Sequence, residues 1–126
     1  LLMAAGISRF ASTLDGLRGG FLADPAFFAL VERDLEDGQH RNRTGNPEYF
    51  LDAFLHHPDQ LKEELLEAGF QEVEIFGVEG PGWLLRDFDH WWEDPERRAR
   101  LLKIARILES EPAMLGVSAH MIAVGR

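Results

Sequence analysis

Strand-like segments alternate with helix-like segments along this sequence, and that order constrains the fold most. Apolar or Val- and Ile-rich runs at 1–7, 70–78 and 117–124 each have the length of a β-strand. Between them, 24–37 and 94–110 carry apolar residues at the spacing of one helix face. An order of strand, helices, strand, long helix and strand predicts the α/β class.

Prolines and glycines mark the helix boundaries. Asp-Pro pairs at 24–25 and 94–95 place a capping carboxylate before a proline that fits the first helical position. Pro58 opens a third helix, which Gly69 ends in a left-handed conformation. A short helix is predicted over 13–20.

The remaining segments are less regular. The polar stretch 38–46, which contains Gly and Asn, predicts a loop or flap, and 79–82 predicts a turn. The segment 49–57 fits either an extended piece or a helical turn, and we favour the extended one. The fully apolar run 1–7 predicts a strand buried on both faces, with a buried helix segment as the alternative. Because this run has no polar leader and no initiator Met, we expect the sequence to be part of a longer one.

Composition excludes several classes of function. The 126 residues hold 22 Asp+Glu against 13 Lys+Arg, and the resulting charge of -9 repels nucleic-acid phosphates and anionic membranes. With 45% hydrophobic residues, the chain can bury roughly two-thirds of its unfolded surface in a single domain. The absence of cysteine excludes disulfides, zinc–thiolate sites and cysteine nucleophiles. The apolar runs are too short to span a membrane, so a cytoplasmic protein is expected.

A helix–Gly–Phe–strand unit at 66–78 and a closing Ala-His-Met-Ile-Ala-Val-Gly strand at 119–125 occur together with distinctive stretches at 7–12, 54–61, 77–83 and 109–112. In combination they resemble the C-terminal half of class I S-adenosylmethionine-dependent methyltransferases, in a bacterial subgroup acting on small molecules. The resemblance covers the whole chain. It implies the C-terminal part of a Rossmann-like sheet with flanking helices, in which 1–7, 72–78 and 118–124 match strands five, six and a reversed strand seven. Residues 79–116 would then be an aromatic-rich turn and long helix inserted between the last two strands.

The resemblance also implies S-adenosylmethionine as the cofactor of the intact enzyme and a small molecule as methyl acceptor. In the family, a glycine-rich turn after strand one and an acidic residue at the end of strand two hold the cofactor. Both lie upstream of the segments matched here. The turn 77–82 departs from the G-x-G-x-x-G spacing and carries a proline, so we do not expect it to replace them. The chain alone is therefore expected to bind no cofactor and to be inactive.

Adjacent histidines are the candidate catalytic residues. A neutral imidazole of His56 or His57 could take the proton that an acceptor OH or NH loses, and at most one would act because neighbouring side chains point differently. In the alternative, one of them caps the helix that begins at Pro58 and the other is solvated. His120 is expected to be a packed or edge histidine. No spacing of residues indicates a metal site.

Candidate acceptor-binding residues lie near a strand end or in less regular segments. Arg9 could orient an anionic acceptor beside Ser8 at the carboxyl end of the first strand, or it could form a surface ion pair. Tyr49 is expected on the flap, where its hydroxyl could reach the pocket. An aromatic cluster could wall an apolar acceptor or could belong to a plain core or interface. Its members are Trp83, Phe88, Trp91 and Trp92.

A different class of function competes with the methyltransferase hypothesis. The chain could be a non-catalytic α/β binding or dimerisation module. Such a module would form a homodimer that covers the exposed edge of the first strand.

Overall fold

The computed structural model describes residues 1–126, which form five strands and five α-helices. The strands are β1 (Leu2–Ser8), β2 (Gln39–His40), β3 (Ala53–His56), β4 (Val73–Gly77) and β5 (His120–Gly125). The α-helices are α1 (Ala11–Gly19), α2 (Pro25–Asp37), α3 (Pro58–Glu67), α4 (Phe88–Glu93) and α5 (Pro95–Leu108). Short 3₁₀ segments lie at Phe21–Ala23, Pro47–Tyr49, Gly80–Leu84 and Leu115–Val117.

The strands form one mixed sheet in the order β2-β3-β1-β5-β4. The last strand, β5, lies between β1 and β4 and is antiparallel to both, with Ile7 opposite His120 and Phe76 opposite Ile122. On its other side β1 pairs in parallel with β3, but only at Ile7 and Ser8. The predicted α/β class is therefore confirmed, with flanking helices around a sheet of five strands.

Two short strands lie where the sequence carries no clear strand pattern. The polar stretch 38–46, predicted to be a loop, contains β2, and the preference for an extended piece in 49–57 is confirmed by β3. Their position depends on backbone bonds between distant segments, such as Leu55 N–H to Gly38 O at 2.7 Å and Arg9 N–H to His56 O at 2.8 Å. The spacing of apolar residues in the sequence carries no information about such backbone hydrogen bonds.

The main hydrophobic core lies between α3 and one face of the sheet. Its six buried residues are Leu61, Leu65, Val73, Leu115, Met121 and Ala123. Helix α3 has the predicted start, because the His57 side chain accepts a hydrogen bond from the Asp59 N–H in front of Pro58. The other helix starts are also confirmed, since the Asp24 and Asp94 carboxylates cap α2 and α5.

The opposite face of the sheet is mostly open. Met3 is 65% exposed and Ala5 is also exposed, whereas Gly6, next to Leu61 of α3, and Ser8, which bonds to the Gly116 carbonyl, are buried. The prediction that this run is buried on both faces is therefore wrong for the structure as it stands. Of the β1 residues on this face only Ile7, near the end of the strand, is partly covered, because α1 begins three residues after the strand ends.

A second, smaller core cluster joins α2 to the segment before β3. Phe27 and Val31 of α2 are buried with Tyr49. Phe28 and Leu35, which the helix pattern placed on the same stripe, are 47% and 44% exposed. Fewer residues of α2 are buried than its apolar pattern predicts, because the helix packs against the rest of the protein along one narrow line of its surface.

Residues 78–119 separate β4 from β5 and contain α4 and α5. No residue of α5 is buried, and Leu102, assigned by its spacing to the buried face, is 54% exposed. The beginning of the segment is joined to its end, next to β5, by the Gly80 N–H, which donates to the buried Ser118 Oγ at 2.9 Å. No helix of the chain has the length and apolar character needed to cross a membrane.

Candidate functional site

A cavity of about 300 Å³ lies where β1 and β3 end and α1 begins. In the sheet, Ile7 stands between Leu55 and His120, so these three side chains share one face at its end. Helix α1 and Trp83 form the other walls. The cavity is lined by Ile7, Ala11, Ser12, Asp15, Arg18, His40, Phe50, Ala53, Leu55, Trp83, Ala119 and His120.

Glu79 and His120 form a pair at this cavity. His120 Nδ1 lies 2.5 Å from Glu79 Oε1, and the His120 backbone N–H donates to Glu79 Oε2 at 3.0 Å. Both oxygens of the Glu79 carboxylate thus contact His120. This contact positions the imidazole at the first residue of β5, with its side chain 54% exposed.

A buried network forms the opposite end of the cavity. Asp34 Oδ2 accepts from the Ser12 hydroxyl at 2.6 Å and lies 2.8 Å from His40 Nδ1. His40 Nε2 faces the Tyr49 carbonyl at 2.7 Å, and a carbonyl can only accept, so this nitrogen is protonated. The hydrogen bond to Asp34 raises the pKa of His40 above its ordinary value, although burial opposes the shift. Both ring nitrogens of His40 thus face oxygen atoms, and the raised pKa favours the charged form of the ring.

Asp15 and Arg18 of α1 add charge to the cavity wall. Arg18 Nη1 lies 3.8 Å from Asp15 Oδ1, and the buried Arg18 Nε has no hydrogen-bond partner. Burial raises the pKa of Asp15, and the nearby Arg18 partly offsets this. The cavity thus combines apolar walls with one cation that has an unused donor.

Of the residues proposed from the sequence to bind the acceptor, only Trp83 lines this cavity. Its indole N–H donates to the Val117 carbonyl at 2.8 Å, which fixes the plane of the ring. Arg9 lies elsewhere and holds the backbone together, because its Nε donates to Leu55 O and its Nη2 to Gln60 Oε1, both at 2.8 Å. It is neither in a surface ion pair nor in the cavity.

Tyr49 also lies outside the cavity. It packs in the second core cluster, and its hydroxyl donates to Asp24 Oδ2 at 2.5 Å. Trp91 lies under the Arg97 guanidinium at 5.5 Å from the ring centroid, and Trp92 stacks on Phe88. Trp83, Phe88 and Trp92 line a second, smaller pocket together, so three members of the predicted aromatic cluster share one site and Trp91 lies apart from it.

The two candidate catalytic histidines are directed away from this cavity. His56 lies on the opposite face of the sheet, near Gly6 and α3, with its Nε2 3.2 Å from Glu64 Oε2. His57 caps α3, as one alternative reading of the sequence expected. The structure thus does not bring either of them together with Trp83, and their role as base stays a prediction.

Sequence reasoning missed Ser12, Asp34, His40 and Glu79. Each is an ordinary polar residue in its own segment, and the pairs form only through the fold. Glu79 and His120, for example, are 41 positions apart. The one available signal was that the two residues stand at the end of one strand and the start of another, which could be adjacent in an antiparallel pair.

The glycine-rich turn 77–82 can be tested against the cofactor that the resemblance implies. Its backbone N–H groups are used inside the protein: Gly77 donates to Glu109 O at 2.7 Å, Val78 to His120 O at 3.0 Å and Gly80 to Ser118 Oγ at 2.9 Å. A cradle for S-adenosylmethionine needs free donors and close backbone approach. This turn does not fit the cofactor.

Comparison with protein-family models, with curated proteins and with solved structures finds no match to this chain. No group of three or more His, Asp or Glu side chains is arranged to hold a metal ion. The sheet and the cavity are therefore the features of the chain that bear on its function.

Proposed function

We propose that this chain is the acceptor-side, C-terminal part of a class I S-adenosylmethionine-dependent methyltransferase that acts on a small molecule. The observation that carries the proposal is the order of the last strands. β5 lies between β1 and β4 and runs opposite to both. A reversed last strand is what the resemblance implies.

The position of the cavity gives further support. Ligands of open α/β sheets bind beyond the carboxyl ends of parallel strands. β1 and β3 are the parallel pair of this sheet, and Ile7 and Leu55, near their carboxyl ends, line the cavity. An acceptor held there would be enclosed mainly by apolar side chains.

In this proposal the role of the chain is to position the methyl acceptor. The acceptor is oriented by Trp83, Phe50 and the end of the sheet, and holding two reactants in one geometry supplies much of the rate of a group transfer. The methyl donor belongs to the glycine-rich half of the fold, since the turn 77–82 does not fit it. The open face around Met3 and Ala5 is consistent with a further layer packed on the sheet.

Calorimetric titration with S-adenosylhomocysteine tests the proposal. The 126-residue chain should show no binding, while a product extended upstream in frame should bind. Micromolar binding by the short chain would contradict the assignment of the cofactor site to the other half. Absence of binding by both would favour a non-catalytic module.

The competing function, a dimerisation module, is favoured by one observation. The outer edge of β1 is unpaired from residue 2 to residue 6, because β3 pairs only with Ile7 and Ser8. A second copy could pair along this edge to form a homodimer. Sedimentation analysis of the wild-type chain and of Met3→Lys would show a dimer that the charge abolishes.

A further inference from the structure

The Glu79–His120 pair has the geometry of an oriented base. A carboxylate 2.5 Å from Nδ1 accepts the proton on that nitrogen, and the second oxygen holds the backbone N–H of the same residue. In its neutral form the ring is therefore held with its proton on Nδ1 and its lone pair on Nε2. No protein group bonds to Nε2.

The surroundings of His120 indicate what can approach this nitrogen. The cavity that His120 lines has apolar walls made by Ile7, Leu55, Phe50 and Trp83, and a volume of about 300 Å³. This volume is at the small end of ligand pockets, and flat aromatic molecules pack well against indole and phenyl rings. The site therefore suits one small aromatic ring with a polar group directed at His120.

We propose that Glu79 and His120 are the proton-accepting pair of this cavity and that its substrates are small phenols. This inference rests on the proposed function, which needs a nucleophilic acceptor atom, here the oxygen of the phenol. The phenol O–H bond breaks, its proton forms an N–H bond at His120 Nε2, and the electron pair stays on the oxygen. Glu79 stabilises the resulting imidazolium. Phenols are acidic enough for this transfer, with the tyrosine side chain near pKa 10 as a guide.

The other titratable groups of the cavity are less suited to this step. His40 has both ring nitrogens engaged, by Asp34 and by the Tyr49 carbonyl. Arg18 is a cation and can only donate. Asp15 is the one alternative base, so the experiment must separate it from His120.

Absorbance titration with 4-nitrophenol tests the proposal without any methyl donor. At a pH just below the pKa of free 4-nitrophenol, binding to the wild-type chain should increase the phenolate band. We expect the apparent pKa of the bound phenol to fall by about one, a tenfold change in its ionisation ratio. His120→Gln should abolish this change, and Glu79→Gln should reduce it.

One control variant and one variant of the alternative base make the result decisive. His90→Gln alters an exposed histidine of α4 and should behave as wild type. Asp15→Asn removes the alternative base from the cavity wall, and bound 4-nitrophenol should still ionise in this variant if His120 accepts the proton. Loss of the band in Asp15→Asn together with its retention in His120→Gln would overturn the proposal, as would failure of the wild-type chain to bind 4-nitrophenol.

The tautomer of His120 gives a second readout that does not depend on binding. In ¹⁵N NMR spectra the wild-type ring should be protonated on Nδ1 at neutral pH, and Glu79→Gln should shift it towards a mixture of tautomers. A wild-type ring protonated on Nε2 would overturn the proposal. Because S-adenosylhomocysteine is not used, failure here leaves the outcome of the calorimetric test unaffected.

Discussion

Ser118 Oγ accepts a hydrogen bond from the Gly80 N–H at 2.9 Å, and both residues are buried. This bond joins the beginning of the segment 78–119, which separates β4 from β5, to the end of the same segment just before β5. It lies next to Glu79 in sequence and two residues before His120, so it helps to hold that pair together. A Cβ atom on Gly77 would meet the same hydroxyl at 2.6 Å, which shows how closely the segments approach.

Ser118→Ala is expected to destabilise the protein. The Gly80 N–H would remain buried without an acceptor, at a cost of about 1–3 kcal/mol in the free energy of unfolding. Urea denaturation measures the change. Ser110→Ala, at an exposed position, should change the stability by less than about 0.5 kcal/mol. Equal effects of the two variants would contradict this role of Ser118.

His40 should make stability depend on pH. Its pKa in the folded state is raised, through the hydrogen bond with Asp34, above the ordinary value of 6.5. The stabilisation is therefore fully present below pH 6.5 and is lost as the pH rises through the folded-state pKa. In the wild-type protein, the urea concentration at the midpoint of unfolding should decrease as the pH rises from 6.5 through the folded-state pKa of His40.

The contribution of His40 can be isolated by difference. His40→Asn should remove the part of the pH dependence that its titration causes, whereas the exposed His90→Asn should retain it. If the two variants keep the same slope as the wild-type protein, the His40–Asp34 pair does not titrate as described.

Tyr49→Phe should raise the pKa of Asp24. The Tyr49 hydroxyl is the largest cause of the lowered pKa of Asp24, and the remaining bond from the Ala26 N–H is kept in the variant. Stabilisation by the lowered pKa is present above the ordinary value and is lost as the pH falls through the folded-state pKa. The variant should therefore lose this acid-side stability.

Carboxyl ¹³C NMR titration measures this shift directly. Asp94 caps α5 in the same way but has no tyrosine partner, so its pKa, lowered by the Arg97 backbone N–H, should stay constant. A pKa of Asp24 that does not change in Tyr49→Phe would argue against the hydroxyl contact.

Gly16→Ala tests the packing between α1 and α2. Helix propensity alone predicts a gain of about 1 kcal/mol for this change. The new Cβ, however, would lie 2.6 Å from Cε1 of the fully buried Phe27, and overpacking costs about 1–3 kcal/mol. We expect net destabilisation in urea. A double-mutant cycle with Phe27→Leu should show a favourable coupling, and a purely additive result would disprove the clash.

The sequence predicted the parts of the fold that local pattern determines. The runs that form β1, β4 and β5, and the capped starts of α2, α3 and α5, were all found because apolar spacing and Asp-Pro chemistry are local. β2 was missed because a two-residue strand carries no periodicity. Its place depends on Gly38, which adopts a positive φ of 76° and gives its carbonyl to Leu55.

The candidate site was less predictable than the fold. Trp83 was proposed for the acceptor pocket and lines the cavity, whereas Arg9 and Tyr49 were proposed there and bond elsewhere. A polar residue near a strand end has several backbone groups within reach, and the sequence does not rank them. His120 lies opposite Ile7 because of the register between β1 and β5. Pairing between strands that are far apart in the sequence determines this register.

The cavity draws its walls from two parts of the chain. Ile7 and Leu55 belong to the sheet, whereas Trp83 belongs to the segment 78–119 that separates β4 from β5. No residue of α5 is buried, so this helix can change in length and sequence at little cost to the core, whereas Leu115 and Ser118 of the same segment are buried. Because α5 packs against the 3₁₀ segment that carries Trp83, divergence in this helix can change what the cavity accepts while the buried residues keep the sheet in place.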